Sequence, residues 1–373
     1  MRLEMINLME GARNYVRNYG QVKAGEKVVI ITDPQTDSLV VEAITLACNE
    51  AGVQEVVVTI HPGPLGLTLE TYFDYFLKPW PESVQHAALH ADVLFNATLT
   101  AEGRLGFRRL MAEHGVRSVR LSHVIKREQL AGEFGRFPFE LRQIIASKLL
   151  RQVESKRHWR HVDPEGTDIS FDRLMKSDIG GIQTSHEIKG FVGMQEILVG
   201  LEPDSPTCNG VIVSSTNIFG PIPSIRLNVE KGRVVNLEGG GNLGIRFKRL
   251  FQEYKDEQFG DFGPGVDWID ELMFAGHPKG TSSRMAGAIH HSVGGGPGSH
   301  GKVGRKTGGP APAHYGIVTF EPTLTADSET IIERGEMTIF RDPEIREVAA
   351  KYGDPDLLLA RSGQRSRVMP IAV

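Results

Sequence analysis

KVVIIT, at residues 27–32, is a short run of β-branched apolar residues of the kind found in buried parallel strands. A turn at Asp33-Pro34 follows it, and the apolar periodicity from about Ser38 to Ala51 then predicts a helix. Gly52 ends this helix, and EVVVTI at residues 55–60 predicts the next strand. The order strand, helix, strand predicts a parallel sheet with right-handed crossovers.

The same alternation continues along the N-terminal part of the chain. Residues 91–97 (ADVLFNA) and 116–121 each repeat the strand pattern after a helical segment. From about residue 160 the strands become short and alternating, and EKGR at residues 230–233 predicts a hairpin turn between two of them. We therefore predict an α/β N-terminal domain with a parallel sheet at residues 1–155, and an α+β C-terminal domain rich in antiparallel strands at residues 156–373.

Composition narrows the class of protein. A chain of 373 residues fits two domains of ordinary size, and a net charge of -4 gives no electrostatic basis for binding nucleic acid, so no such partner is expected. No segment reaches the ~18 apolar residues of a membrane span, so no membrane partner is expected either. The two cysteines form no disulfide framework, which favours a reducing compartment, and we predict a cytoplasmic protein. The first strand is not followed by G-x-G-x-x-G, so dinucleotide binding has no support.

Histidine is the residue type that points to chemistry. Five histidines fall within residues 271–314, together with a glutamate at the start of this range and a glycine-rich segment at 294–309. Carboxylates and imidazoles from separate segments are the ligands that a divalent first-row metal needs. The spacing does not prove a site, because the chain has no H-E-x-x-H or H-x-H. The residues concerned are Glu271, His277, His290, His291, His300 and His314.

Several segments, taken in order, resemble one known group. Residues 163–168 (DPEGTD) are similar to the D-P-x-G-T-D turn that opens the C-terminal domain of the thermophilic aminopeptidase superfamily, which also contains 2,5-dihydroxypyridine 5,6-dioxygenases. Residues 195–197 (QEI) resemble its G-E-V segment, and residues 209–213 (NGVIV) resemble the strand that follows. Residues 270–272 (DEL) look like its G-E-x block, and residues 287–290 (GAIH) look like its G-T-x-H strand. His314-Tyr315-Gly316 takes the place of its final H-x-D.

The resemblance implies a set of metal ligands. In the peptidases such residues hold two adjacent metals that bind and deprotonate a water molecule. Gly316 stands where the family has a ligating aspartate, and the tyrosine that the family has a few residues beyond the histidine at position 290 is absent, which puts the second metal in doubt. The ligands implied here are Glu196, Glu271, His290 and His314.

The sequence leaves three functions open. The first is a hydrolase of a small amide, peptide or related molecule that uses water activated by Zn, Co or Mn, with Glu196 or Glu271 as general base. The second is a ring-opening dioxygenase of a hydroxylated aromatic or heteroaromatic ring that uses Fe(II); in that branch two histidines and an aspartate hold the iron, and only His314 of that set survives. The third is a binding protein without metal, for which Gly316 is the best argument.

The remaining expectations concern the substrate and the assembly. A small molecule is expected as substrate, in a cleft between the two domains. The resemblance also implies a homo-oligomer, of an order that the sequence does not set. The candidates for binding the substrate or stabilising developing charge are His277, His291, His300 and Arg305.

Overall fold

The computed structural model describes residues 3–60, 80–98, 110–111, 113–121, 124–175, 192–193, 196–217, 220–256, 267–280, 284–294 and 315–361. The helices are α1 (Leu3–Arg13), α2 (Ser38–Glu50), α3 (Glu82–Leu89), α4 (Arg127–Ala131), α5 (Phe139–Val153), α6 (Gly241–Glu253), α7 (Pro343–Ala350) and α8 (Pro355–Leu358). A π-helical segment, Asn14–Tyr19, follows α1. No helix in these ranges has the length and apolar character to cross a membrane.

The strands are numbered in chain order. They are β1 (Lys27–Thr32), β2 (Glu55–Ile60), β3 (Val93–Ala97), β4 (Arg117–Arg120), β5 (His158–Val162), β6 (Asp168–Asp172), β7 (Val192–Gly193), β8 (Leu198–Leu201), β9 (Asn209–Asn217), β10 (Gly220–Glu230), β11 (Arg233–Gly239), β12 (Ile269–Ala275), β13 (Ile289–Val293), β14 (Tyr315–Thr319), β15 (Thr323–Ala326), β16 (Glu329–Glu333) and β17 (Glu336–Met337).

The chain divides into two compact units. Unit 1 comprises Met1–Phe139 and Gln183–Gln195, and unit 2 comprises Glu140–Ile182 and Glu196–Val373. This division differs from the predicted boundary near residue 155, because α5 belongs to unit 2 from Glu140 onward. The physical reason is packing: Leu149 of α5 lies against Gly276, just beyond the end of β12.

Unit 1 contains the predicted parallel sheet, in the order β2-β1-β3-β4-β7. Side chains of β1 alternate between two apolar cores: Val28 and Ile30 enter the core formed with α1 and α2, and Val29 and Ile31 enter the one that contains Trp80. Both faces of β1 are therefore buried, which explains why the strand is apolar at consecutive positions.

Unit 2 is built on a twelve-stranded antiparallel sheet. Its main path runs β17-β16-β15-β5-β6-β9-β14-β13-β12-β8, with β10 paired to β9 and β11 paired to β10. The predicted hairpin turn is confirmed: β10 and β11 are joined by Lys231 and Gly232, which both have positive φ (51° and 77°), as a tight turn that follows the strand twist requires. The fold class predicted from the sequence is thus confirmed.

Gly210 provides a test of how tightly the strands of unit 2 are packed. Its φ is 141°, and a Cβ at this position would overlap the carbonyl oxygen of Asp168 on β6. Gly220 has a similar φ of 132° but no atom within 4 Å of an added Cβ. We expect Gly210→Ala to lower the free energy of unfolding by about 3 kcal/mol, and Gly220→Ala by about 1 kcal/mol, because only the first adds a collision to the backbone strain. Denaturant unfolding measures both, and equal losses would show that Gly210 is not closely packed.

Candidate functional site

Glu271 and His290 lie on one face of the unit 2 sheet. Strands β12 and β13 are antiparallel neighbours, in which Glu271 pairs with Ser292 and Met273 pairs with His290. Directly opposed residues point to the same face, and side chains alternate along each strand. These four residues therefore share a face, which we call the Glu271 face. Glu271 and His290 are diagonal neighbours, with Cβ atoms about 7 Å apart.

Both side chains are taken out of water. Glu271 is 7% exposed and His290 is 4% exposed. Burial of such groups is favourable only where charge, hydrogen bonds or a bound ion replaces the lost hydration.

The carboxylate of Glu271 leans toward β8. Gly200 of β8 pairs with Met273, and a Cβ built on Gly200 would overlap Glu271 Oε1. The glycine thus leaves the room that the carboxylate occupies. Met273 lies between Gly200 and His290, because it pairs with both across the sheet. A cation bound by both Glu271 and His290 therefore requires a Glu271 rotamer that points toward β13.

Glu196 lies at the other end of β12. Beyond the last residue pair of β8 and β12, Gly276 N donates a hydrogen bond to Ile197 O at 2.7 Å. Glu196, the residue before Ile197, therefore lies near His277. From Glu271 to Gly276 the strand covers roughly 16 Å of extended backbone. Glu196 is 4% exposed, which excludes a surface carboxylate, and Arg142 Nη2 of α5 donates to its carbonyl oxygen at 2.8 Å.

The four predicted ligands are thus only partly brought together. Glu271 and His290 share a face, Glu196 lies further along the ladder, and His314 lies outside the described residues, as do His300 and Arg305. Within the described ranges, no group of three or more His, Cys, Asp or Glu side chains is placed to hold a metal ion. Convergence of all four around a cation therefore stays a prediction.

His291 points to the opposite face from His290, because the two are adjacent in β13. Its Nε2 lies 2.9 Å from Nδ1 of His161 on β5, and the two rings stack with centroids 5.1 Å apart. His161 Nε2 lies 3.3 Å from Thr319 Oγ1. A molecule bound over Glu271 and His290 therefore lies on the other side of the sheet from His291. For His291 to contact the substrate, the substrate would have to bind on the His291 side as well.

Both imidazoles of this pair are neutral. Burial holds the pKa of His161 well below its usual range, with a further lowering from the neighbouring His291. Burial also lowers the pKa of His291 to about 3. With both rings neutral, one nitrogen of the 2.9 Å contact donates and the other accepts.

His277 is buried as well. Its Nδ1 accepts a hydrogen bond from Lys279 N at 3.1 Å, so the proton of the neutral ring resides on Nε2. Burial lowers the pKa of His277 well below its usual value, and the positive charges of Arg142 and Lys279 lower it further. The predicted role of His277 in binding substrate stays a prediction; the structure places it beside the segment that carries Glu196.

Two residues of this region were missed by the sequence reasoning. Ser292 lies on the Glu271 face between Glu271 and Gly316, each of which pairs with it across the ladder. His161 forms the buried pair described above. The alternation His290-x-Ser292 signals the first only once the strand is known, whereas nothing in the sequence pairs His161 with His291.

Comparison with known proteins bears on the fold. No protein-family model matches the chain, and a search of curated proteins finds no match. Two solved structures share the fold over most of the chain. One is a 2,5-dihydroxypyridine dioxygenase from Pseudomonas putida KT2440, with a TM-score of 0.65, 16% identity, and coverage of 92% of this chain and 99% of that one. The other is AmpT from Thermus thermophilus, with a TM-score of 0.60, 13% identity, and coverage of 89% and 99%.

The fold-level resemblance predicted from the sequence is therefore confirmed. At identities of 13% and 16% the likeness establishes the fold and leaves the reaction to be argued from side chains.

The buried histidine pair predicts a pH dependence of stability. The unfolded chain takes up a proton at His161 below a pKa of about 6.5, whereas the folded chain does not, so stability is lost as the pH falls below that value. We expect His161→Asn to flatten the decline between about pH 6 and pH 4.5 by up to about 1.4 kcal/mol per pH unit. Denaturant unfolding at several pH values measures the slopes. Parallel curves for the two proteins would show that His161 titrates normally in the fold.

Proposed function

We propose that this chain, which shares its fold with a dioxygenase and with AmpT, is a metal-dependent hydrolase of a small amide, peptide or related molecule. The observation that supports the proposal is the position of Glu271 and His290 on one face of neighbouring strands, both nearly excluded from water. A carboxylate and an imidazole in that arrangement provide two of the ligands that a metal site needs.

The donor types fit a divalent first-row metal. Glu271 offers hard oxygen and His290 offers borderline nitrogen, a combination that suits Zn, Co and Mn. The empty position at Gly200 gives the carboxylate a place to rest over β8, and the diagonal spacing of about 7 Å leaves His290 within reach of a second rotamer. The fit thus rests on donor chemistry and strand register.

One ion suits these residues better than two. Gly316 pairs with Ser292, so a side chain at position 316 would point to the Glu271 face, and glycine supplies none. Glu196 lies at the far end of β12. We therefore propose Glu271, His290 and His314 as the ligand set, a carboxylate and two imidazoles, whereas the roles of Glu196 as a fourth ligand or a general base stay predictions from the sequence.

The residues have distinct roles in this proposal. Glu271 binds as an ionised carboxylate and His290 binds as a neutral imidazole. Bound there, the metal supplies Lewis acidity and brings the pKa of a coordinated water toward ~7. Arg142 holds the backbone of Glu196 in place through its carbonyl oxygen. Substrate contacts by His277, His291, His300 and Arg305 stay predictions.

A dioxygenase is the second candidate. Two histidines and one carboxylate on one face are also the ligand set of non-haem Fe(II) oxygenases, and Glu271, His290 and His314 would make such a set. The observation in favour is the count of donors: among the paired residues of β12, β13 and β14, Glu271 is the one carboxylate on the Glu271 face, and Gly316 adds none. The substrate would be a hydroxylated aromatic or heteroaromatic ring.

A binding protein without metal is the third candidate. This candidate applies if the Glu271 carboxylate always stays over Gly200 and never turns toward His290. For any of the three we propose a small-molecule ligand, a homo-oligomer and a cytoplasmic location.

The two thiols, Cys48 and Cys208, are buried, and burial raises the pKa of each to about 12, so neither has the chemistry of a reactive cysteine.

Loss of either donor tests the site directly. We expect Glu271→Gln and His290→Asn each to weaken the binding of Zn or Mn by at least about 100-fold, more than changes in outer-shell partners usually cause. Calorimetric titration of metal into metal-free protein measures the affinity, and circular dichroism checks the fold. His161→Asn is the matched control, because His161 pairs with His291 on the opposite face, and its metal affinity should equal that of the wild type.

Wild-type affinity in both site variants would exclude Glu271 and His290 as ligands. If only His290→Asn lost metal affinity, His290 would be a ligand and Glu271 would not. Glu196→Gln, measured in the same way, separates a ligand, whose loss weakens metal binding, from a general base, whose loss leaves metal binding intact.

The reaction is tested with protein purified anaerobically and loaded with one metal at a time. We expect Zn, Co or Mn to support hydrolysis of a leucine amide at a rate roughly tenfold or more above the metal-free protein. Oxygen uptake on adding 2,5-dihydroxypyridine to the Fe(II) form would favour the dioxygenase instead. Absence of metal binding under every loading condition would leave the binding protein.

A further inference from the structure

Ser292 sits at the centre of the Glu271 face and has no role in the fold that the structure reveals. It lies in β13, two residues beyond His290 and therefore on the same side of the strand. It pairs with Glu271 of β12 on one side and with Gly316 of β14 on the other. The hydroxyl thus stands between the candidate ligands and a position that carries no side chain.

The hydroxyl is buried without a hydrogen-bond partner. Ser292 is 0% exposed, and across the described part of the chain its Oγ contacts no donor or acceptor. Such a group costs free energy in the folded state, because it gives up water and gains nothing in return. Ser214 shows the usual arrangement. It lies on β9, the strand on the other side of β14, is equally buried, and its Oγ donates a hydrogen bond to Val318 O at 2.6 Å.

The neighbours explain why the hydroxyl is left over. Glu271 of β12 is the residue paired with Ser292, but its carboxylate leans away from Ser292, toward Gly200 of β8. On the other side, Gly316 offers only backbone. On that row Ser292 is therefore flanked by an acid that points away and by a glycine that carries no side chain.

We propose that Ser292 contacts the substrate: its hydroxyl donates a hydrogen bond to an oxygen of the molecule bound at the Glu271 face. This inference rests on the proposed function and names one specific contact of that site. The ligand class is a small molecule with a carbonyl or hydroxyl oxygen next to the metal-binding atoms. A buried donor fixed by a strand is well placed to stabilise charge that develops on such an oxygen, since it requires no reorganisation.

The experiment compares Ser292→Ala, Ser292→Thr and Ser214→Ala in full-length protein. Without ligand, we expect Ser292→Ala to melt within about 1 °C of the wild type or above it, and Ser214→Ala to melt roughly 2–4 °C lower, because only the second loses hydrogen bonds to the protein. With the Zn-loaded protein, acetohydroxamate serves as the oxygen-bearing probe. We expect Ser292→Ala to bind it about tenfold more weakly with unchanged Zn affinity, and Ser292→Thr, which keeps the hydroxyl, to bind it within about threefold of the wild type.

Two results would overturn the inference. One is a loss of melting temperature in Ser292→Ala as large as that in Ser214→Ala, which would mean that the hydroxyl has a structural partner. The other is undiminished acetohydroxamate binding by Ser292→Ala. If the wild type binds no Zn, the proposed function fails separately, and the melting temperatures alone then decide whether the hydroxyl is left free for a ligand.

Discussion

Alternation of side chains along two paired strands is the constraint on which the candidate site depends. Strand β13 carries His290, His291 and Ser292 in succession, and its pairing with β12 and β14 fixes which of them face Glu271. A slip of one residue would exchange the faces, placing His291 beside Glu271 and burying His290 against His161. Because β13 is paired on both sides, such a slip would break two ladders at once. The chemistry available on each face is therefore set by backbone hydrogen bonds.

The opposite face shows what the same residue type does when it has a protein partner. His161 and His291 satisfy each other across 2.9 Å and stay neutral, at the cost of the proton that each would hold in water. That arrangement accounts for the geometry of the pair without any ligand. His290, one residue away, lies next to a buried carboxylate instead. The described histidines between residues 271 and 314 are thus divided between structure and candidate chemistry.

Much of the fold followed from the sequence, for identifiable reasons. Strand β1 was predicted at its exact bounds because both of its faces are buried, and the hairpin at residues 230–233 was predicted because its turn needs positive φ at two positions. The assignment of α5 to unit 2 could not follow, since periodicity tells which side of a helix is apolar and not which domain covers it. Likewise, ordered sequence blocks gave Glu196 and Glu271 as candidates but carried no information on the register that separates them.

A fold shared with a 2,5-dihydroxypyridine dioxygenase and with AmpT at 16% and 13% identity does not fix the chemistry of a site, which depends on particular side chains. The sequence resemblance places an aspartate where this chain has Gly316, and the pairing with Ser292 means that a side chain at this position would lie on the Glu271 face. Glycine contributes neither negative charge nor a side chain there. In the proposal, this favours fewer cations and leaves Ser292 without a side chain beside it on β14. The metal count and the Ser292 contact are therefore linked, because each depends on the glycine that borders them.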